Sequence, residues 1–301
     1  MEHSIKDLLK SNIYKYGREI DITLFDYFFE NGSEDSVIRA LSTYQNEDGG
    51  FGHGLEPDYL NPHSSPIQTW TAMNILRRLK IDSNHPIIVK ILDYLESSYD
   101  QTKKRWPNTI LSNNDYPHAP WWAYKEDESF NPSISIASFA MIHANPERIL
   151  YRYTKEVIYE AIIYLMTVKE KVEVHELRCF VDMANDFKAI TGIQILTDDF
   201  QVVLLKHMID AISPEVSSWF SSYAAKPSSL IKHHPSFGSN ELKNILLSEM
   251  HLALQARDEE GAWHITWSWD KYENEFEISK RHWRAIIALE YALLLKDFNM
   301  L

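Results

Sequence analysis

The chain carries one cysteine, Cys179, in 301 residues. An intrachain disulfide and a cysteine-rich zinc site are therefore both excluded. No apolar run reaches the about 18 residues that a membrane-spanning helix needs. The start, Met1-Glu2-His3-Ser4-Ile5-Lys6-Asp7, lacks the basic and apolar regions of a secretory signal. A cytoplasmic protein without membrane insertion is the expectation. Basic residues are also in short supply, with 30 Lys and Arg against 43 Asp and Glu and a net charge of -13. Such a surface repels phosphate backbones, so nucleic acid is not an expected partner. Glycine is scarce, nine in all, and no Pro/Gly/Ser-rich linker or low-complexity segment divides the chain. Residues 1–301 are expected to form a single domain.

What is present is helical. Ile87-Ile88-Val89-Lys90-Ile91-Leu92-Asp93-Tyr94-Leu95 repeats apolar residues at spacings of three and four, the pattern of an amphipathic helix. The same period marks Glu156 to Val168, Phe200 to Ile212, Leu242 to Leu254 and His282 to Leu295. Strand-like alternation is rare, so the fold class is all-α. Pro66, Pro86, Pro132 and Pro146 each stand at or just before an expected first turn, where a missing N–H costs nothing.

Four of the nine glycines are Gly49, Gly50, Gly52 and Gly54, and they mark a loop of demanding backbone geometry. Gln45-x-x-x-Gly49-x-Phe51 follows a helix ending near Tyr44, and a second helix opens at Pro66, about 15 residues later. Gln255-x5-Gly261-x-Trp263 follows the helix ending near Leu254, and another helix is expected to open near Ser279. The spacing recurs, which is the mark of repeated hairpins. Helix 87–99 leads through Trp106 to a helix after Pro132, helix 147–168 turns into 174–191, and 198–212 leads into an irregular stretch with Tyr223, Pro227 and His233-His234. With an N-terminal pair near 4–16 and 21–30, five to six helical hairpins result. Hairpins that cannot bury both faces alone close into inner and outer helix layers, an α/α toroid.

Gln45-Asn46-Glu47-Asp48-Gly49-Gly50-Phe51-Gly52-His53-Gly54 followed by Pro62-His63-Ser64-Ser65-Pro66 resembles the repeat of terpenoid cyclases and protein prenyltransferase β-subunits. The agreement covers about 40–80 and 250–295. Gly52-His53-Gly54-Leu55-Glu56-Pro57-Asp58 is also similar to a bacterial group of prenyltransferase-like proteins, for which resemblance implies the fold and no particular activity. The resemblance implies a six-hairpin toroid with a central cavity for a small apolar ligand, such as an isoprenoid. The superfamily's familiar equipment is missing. No Asp-x-Asp-Asp acid motif occurs, Asp198-Asp199 lacks the third aspartate of Asp-Asp-x-x-Asp, and Cys179 is not in an Asp-x-Cys context. Fold alone does not assign function.

Loops entering inner helices line one mouth of such a cavity. Glu56 and Asp58 stand just ahead of one of these helices, where a carboxyl in an apolar mouth gains a raised pKa and serves as general acid. The alternative is that either carboxylate caps loop or helix N–H groups. Arg178, Asp182 and Asp186 are spaced by four and share a helix face. They supply either a carboxylate for two-carboxylate chemistry of the glycosidase type or an internal ion pair between helices. Asp182 and His282 are assigned as assistants to the acid. His63, near an inner-helix start, is a hydrogen-bonding or proton-carrying candidate. Trp70, Trp121 and Trp122 are candidate walls of the ligand cavity, with Trp106, Trp267, Trp269 and Trp283 as further tryptophans, through ring faces that stabilise carbocations or stack on sugars. Phe51 and Trp263 read instead as locks of their hairpin loops. Thirteen histidines form no His-Glu-x-x-His, so no metal and no cofactor are expected. A carbohydrate-active toroid and a non-catalytic binding toroid remain open beside the apolar-ligand enzyme.

Overall fold

Helix starts follow local chemistry. The computed structural model describes residues 4–79, 81–126, 129–189 and 196–301. Ser4, Ser33 and Thr197 each accept a backbone N–H of the first turn through their hydroxyls, at the heads of α1 (Ile5–Tyr16), α3 (Glu34–Ser42) and α9 (Asp198–Ala211). Pro66 and Pro86 are the first residues of α4 (Pro66–Leu79) and α5 (Pro86–Ser98). Pro132 is the cap of α6 (Ser133–His143). Pro146 stands ahead of α7 (Ile149–Thr167), whose cap is Arg148.

The remaining helices are α2 (Glu19–Phe29), α8 (Val174–Ala189), α10 (Pro227–Leu230), α11 (Lys243–Gln255) and α12 (Glu273–Asp297). Among the described residues there are these twelve α-helices, three short 3-10 turns and only isolated β-bridges. The all-α expectation therefore holds. The expected continuation of α8 to residue 191 lies outside the described residues. The last helix opens at Glu273 rather than near Ser279, because Tyr272 in a left-handed conformation turns the chain and Glu273 and Glu275 favour a helix N-terminus. No helix among the described residues is long and apolar enough to cross a membrane.

The chain divides into two compact units, Met1–Thr43 with Ser213–Leu301, and Tyr44–Ile212. In the first unit, α1 and α2 pack on α12, α2 packs on α3, and α11 packs on both α10 and α12. Leu9, Ile13, Ala288, Ala292 and Leu295 are fully buried there. In the second, α6 packs against α4, α5, α7 and α8, so it is apolar all round and buried along Ser133–Ala140.

Two glycine loops share backbone hydrogen bonds. Asn46 N–H donates to Gly50 O at 2.8 Å and Gly49 N–H to Asn46 O at 3.0 Å. Asp258 N–H donates to Ala262 O and Gly261 N–H to Asp258 O, both at 2.9 Å. Gly49 (φ 90°) and Gly261 (φ 80°) take positive φ two residues ahead of Phe51 and Trp263, both buried. A related loop, one residue longer and without glycine, follows α5. Asp100 N–H bonds Arg105 O at 2.9 Å, and Lys104 (φ 52°) precedes buried Trp106 by two. The indoles of Trp106 and Trp263 donate to Leu95 O and Ala253 O of the preceding helices, each at 2.9 Å. Each ring thus satisfies a helix-end carbonyl while filling the core.

Candidate functional site

Two clusters in the second unit gather most of the residues singled out from sequence. In the first, the loop before α4 pairs with the loop after α5. Leu60 N–H donates to Pro117 O at 3.1 Å and Ala119 N–H to Asp58 O at 2.9 Å. Gln68 of α4 braces the loop from below, accepting Leu55 N–H at 2.8 Å and donating to Asn61 O at 2.9 Å. Glu56 and Asp58 are carried in this braced segment, 8% and 2% exposed. Tyr59 stacks on Trp122 with ring centroids 5.8 Å apart, and its hydroxyl bonds Asn113. Burial pushes the Tyr59 phenol up to about 12. His63 meets Tyr116 edge to face, 5.7 Å between centroids, with Nε2 3.3 Å from the phenol oxygen. Trp121 is 40% exposed, whereas its neighbour Trp122 is half-buried.

The second cluster joins α4, α6 and α8. Trp70 Nε1–H donates to Ser135 Oγ at 2.8 Å, and Ser135 Oγ–H donates to Asp182 Oδ2 at 2.9 Å. Arg178 Nε–H donates to Asp182 Oδ1 at 2.9 Å. One turn further, Asp186 accepts from Arg77 Nη2 at 2.7 Å and from Ser138 Oγ at 2.6 Å. Two guanidinium groups and two carboxylates balance in charge. Burial alone would raise the Asp182 carboxyl, but the charges of Arg178 and Arg77 and two hydrogen bonds outweigh it and hold the group below the usual range. Asp182 is therefore a carboxylate at neutral pH, suited to accepting hydrogen bonds.

The structure thus brings Trp70, Arg178, Asp182 and Asp186 into one network, and Glu56, Asp58, His63 and Trp122 into one pair of loops. The loop cluster and the network share α4, through Gln68 and Trp70. His282 belongs to the first unit, on α12. Burial, and then the charge of Arg18, lowers its pKa to about 4, so it is neutral at neutral pH.

Arg77, Ser135 and Ser138 were missed in the sequence. Arg77 follows Trp70 by seven and so shares its helix face. The serines interrupt an otherwise apolar helix, where a buried hydroxyl needs a partner. Among the described residues no group of three or more His, Cys, Asp and Glu side chains is placed to hold a metal ion. No family model matches the chain, and no curated protein or solved structure matches it.

Proposed function

We propose that residues 1–301 form one α/α toroid of the terpenoid cyclase and prenyltransferase β-subunit kind, which takes a small molecule into its central cavity. The recurrent hairpin loop carries this reading, with its positive-φ residue two ahead of a buried ring at Phe51, Trp106 and Trp263. A local geometry that returns in three loops supports a repeat architecture. In this proposal the ligand is apolar, Glu56 or Asp58 is the general acid, and the Trp70 and Trp122 rings line the ligand's path. Asp182, a carboxylate at neutral pH, accepts hydrogen bonds.

The polar network favours a second reading, a carbohydrate ligand. Trp70, Ser135, Asp182 and Arg178 gather a ring edge, a hydroxyl, a carboxylate and a guanidinium into one mutually hydrogen-bonded network. Mass spectrometry of organic and aqueous extracts of the purified protein separates the readings. An isoprenoid-like lipid supports the first, and a sugar supports the second. With a substrate in hand, Glu56→Gln and Asp58→Asn are expected to lower turnover at least a hundredfold in one of the two. Full turnover in both removes the acid assignment, and binding without turnover in the wild type makes the protein a non-catalytic binder.

A further inference from the structure

The loop between Asp100 and Trp106 differs from the other two in its length and in Lys104, and also just ahead of the buried ring. The residue just ahead of the buried ring is Gly50 in one loop and Ala262 in another, but Arg105 in the third. A small residue suffices for the loop geometry, so the arginine answers some other need. Its guanidinium lies over the Phe130 ring, 3.8 Å from the centroid, and its Nε is buried with no hydrogen-bond partner. Asn108 Oδ1, three residues on, is likewise buried and without a partner. Both atoms belong to residues lining one cavity of about 240 Å³, walled also by Lys103, Thr109, Tyr124 and Lys125. A buried donor and a buried acceptor without partners are costly, about 1–3 kcal/mol each, and both sit just behind the wall that their side chains give this cavity.

We propose that this cavity binds a small hydroxycarboxylate with an apolar side chain. The arginine fork suits a carboxylate, and the amide oxygen of Asn108 suits the neighbouring hydroxyl. Lys103, Arg105 and Lys125 outnumber the one lining carboxylate, Asp100, whose Oδ1 is engaged by the Thr102 and Lys103 amides at 2.8 and 2.9 Å. Lys103 also has Glu126 at 3.9 Å. The balance at the cavity wall favours an anion over a zwitterion. Trp106, Ile110, Leu111 and Tyr124 complete an apolar side. The volume falls below the roughly 300–1,000 Å³ of sites for drug-sized ligands, which sets the ligand's size class.

Titration calorimetry of the full chain tests the site with phenyllactate, phenylpropionate (the same acid without the hydroxyl) and inorganic phosphate. Phenyllactate is expected to bind at least tenfold more tightly than phenylpropionate, and phosphate not at all. Arg105→Gln is expected to weaken phenyllactate at least tenfold, and Asn108→Ala to erase its advantage over phenylpropionate. Lys125→Gln, at an exposed position, is expected to weaken binding severalfold without altering the melting temperature, so the test survives misfolding of the arginine variant. Absence of phenyllactate binding, phosphate binding in its place, or unchanged affinity in Lys125→Gln together with folded Arg105→Gln overturns the proposal.

Discussion

Arg77 on α4 grips Asp186 on α8 through two nitrogens, Nε at 3.0 Å and Nη2 at 2.7 Å, while the same Nη2 donates to the Ser135 carbonyl of α6 at 2.6 Å. One side chain therefore ties three helices, and its planar fork is what makes the geometry possible. Asp186 is almost wholly buried and is paired with this guanidinium.

Removal of the partner leaves an uncompensated buried carboxylate. Arg77→Met is expected to cost about 3–5 kcal/mol, read as a lower urea midpoint. The double variant Arg77→Met with Asp186→Leu is expected to recover at least half of that loss. An Arg77→Met protein as stable as the wild type contradicts the account.

His282 makes stability depend on pH. Its folded pKa is lowered from 6.5 to about 4, so below 6.5 the unfolded chain takes up a proton that the folded chain refuses. Stability is fully present above 6.5, falls as pH drops through that window and levels off below about 4. Urea unfolding between pH 4 and 7.5 is expected to show a shallower slope in His282→Gln. Identical slopes in variant and wild type rule this contribution out.

Glu249 on α11 acts in the opposite sense. It is fully buried and accepts Ser228 N–H at 2.7 Å and Tyr291 O–H at 2.9 Å. Burial raises its pKa above 4.5 despite these bonds and the charge of Lys226. The folded state then holds a proton that the unfolded state has released, so stability falls as pH rises from 4.5 through the raised value. Glu249→Gln is expected to flatten that fall. A variant whose slope matches the wild type over this range excludes the effect.

The two kinds of positive-φ residue should respond differently to substitution. A Cβ on Gly49 would stand 2.1 Å from the Lys90 carbonyl oxygen, so Gly49→Ala is expected to destabilise by more than about 1 kcal/mol. Lys104 already carries a side chain at φ 52°. Its replacement by glycine relieves a left-handed cost of roughly 1–2 kcal/mol against an added chain entropy of about 0.5–1, leaving a neutral or slightly positive balance. Thermal melts showing both variants destabilised to the same degree argue against equivalent loops.

The sequence alone determined the helical class, the positions of Pro66 and Pro86 at helix starts and the pairing of the Gly49 and Gly261 loops. These are local matters of apolar period, missing N–H groups and positive φ, and all of them are written within a few residues. The shared face of Arg178, Asp182 and Asp186 was legible for the same reason. Only tertiary structure decided which partners that face meets, because Arg77 and Ser135 come from distant segments and carry no local mark of their destination. The loop at Lys104 was hidden because its backbone takes the glycine conformation without glycine. The Gly49–Phe51 signature thus predicted one loop shape correctly, and the loop at Trp106 shows that a positive-φ residue two ahead of a buried ring does not require glycine.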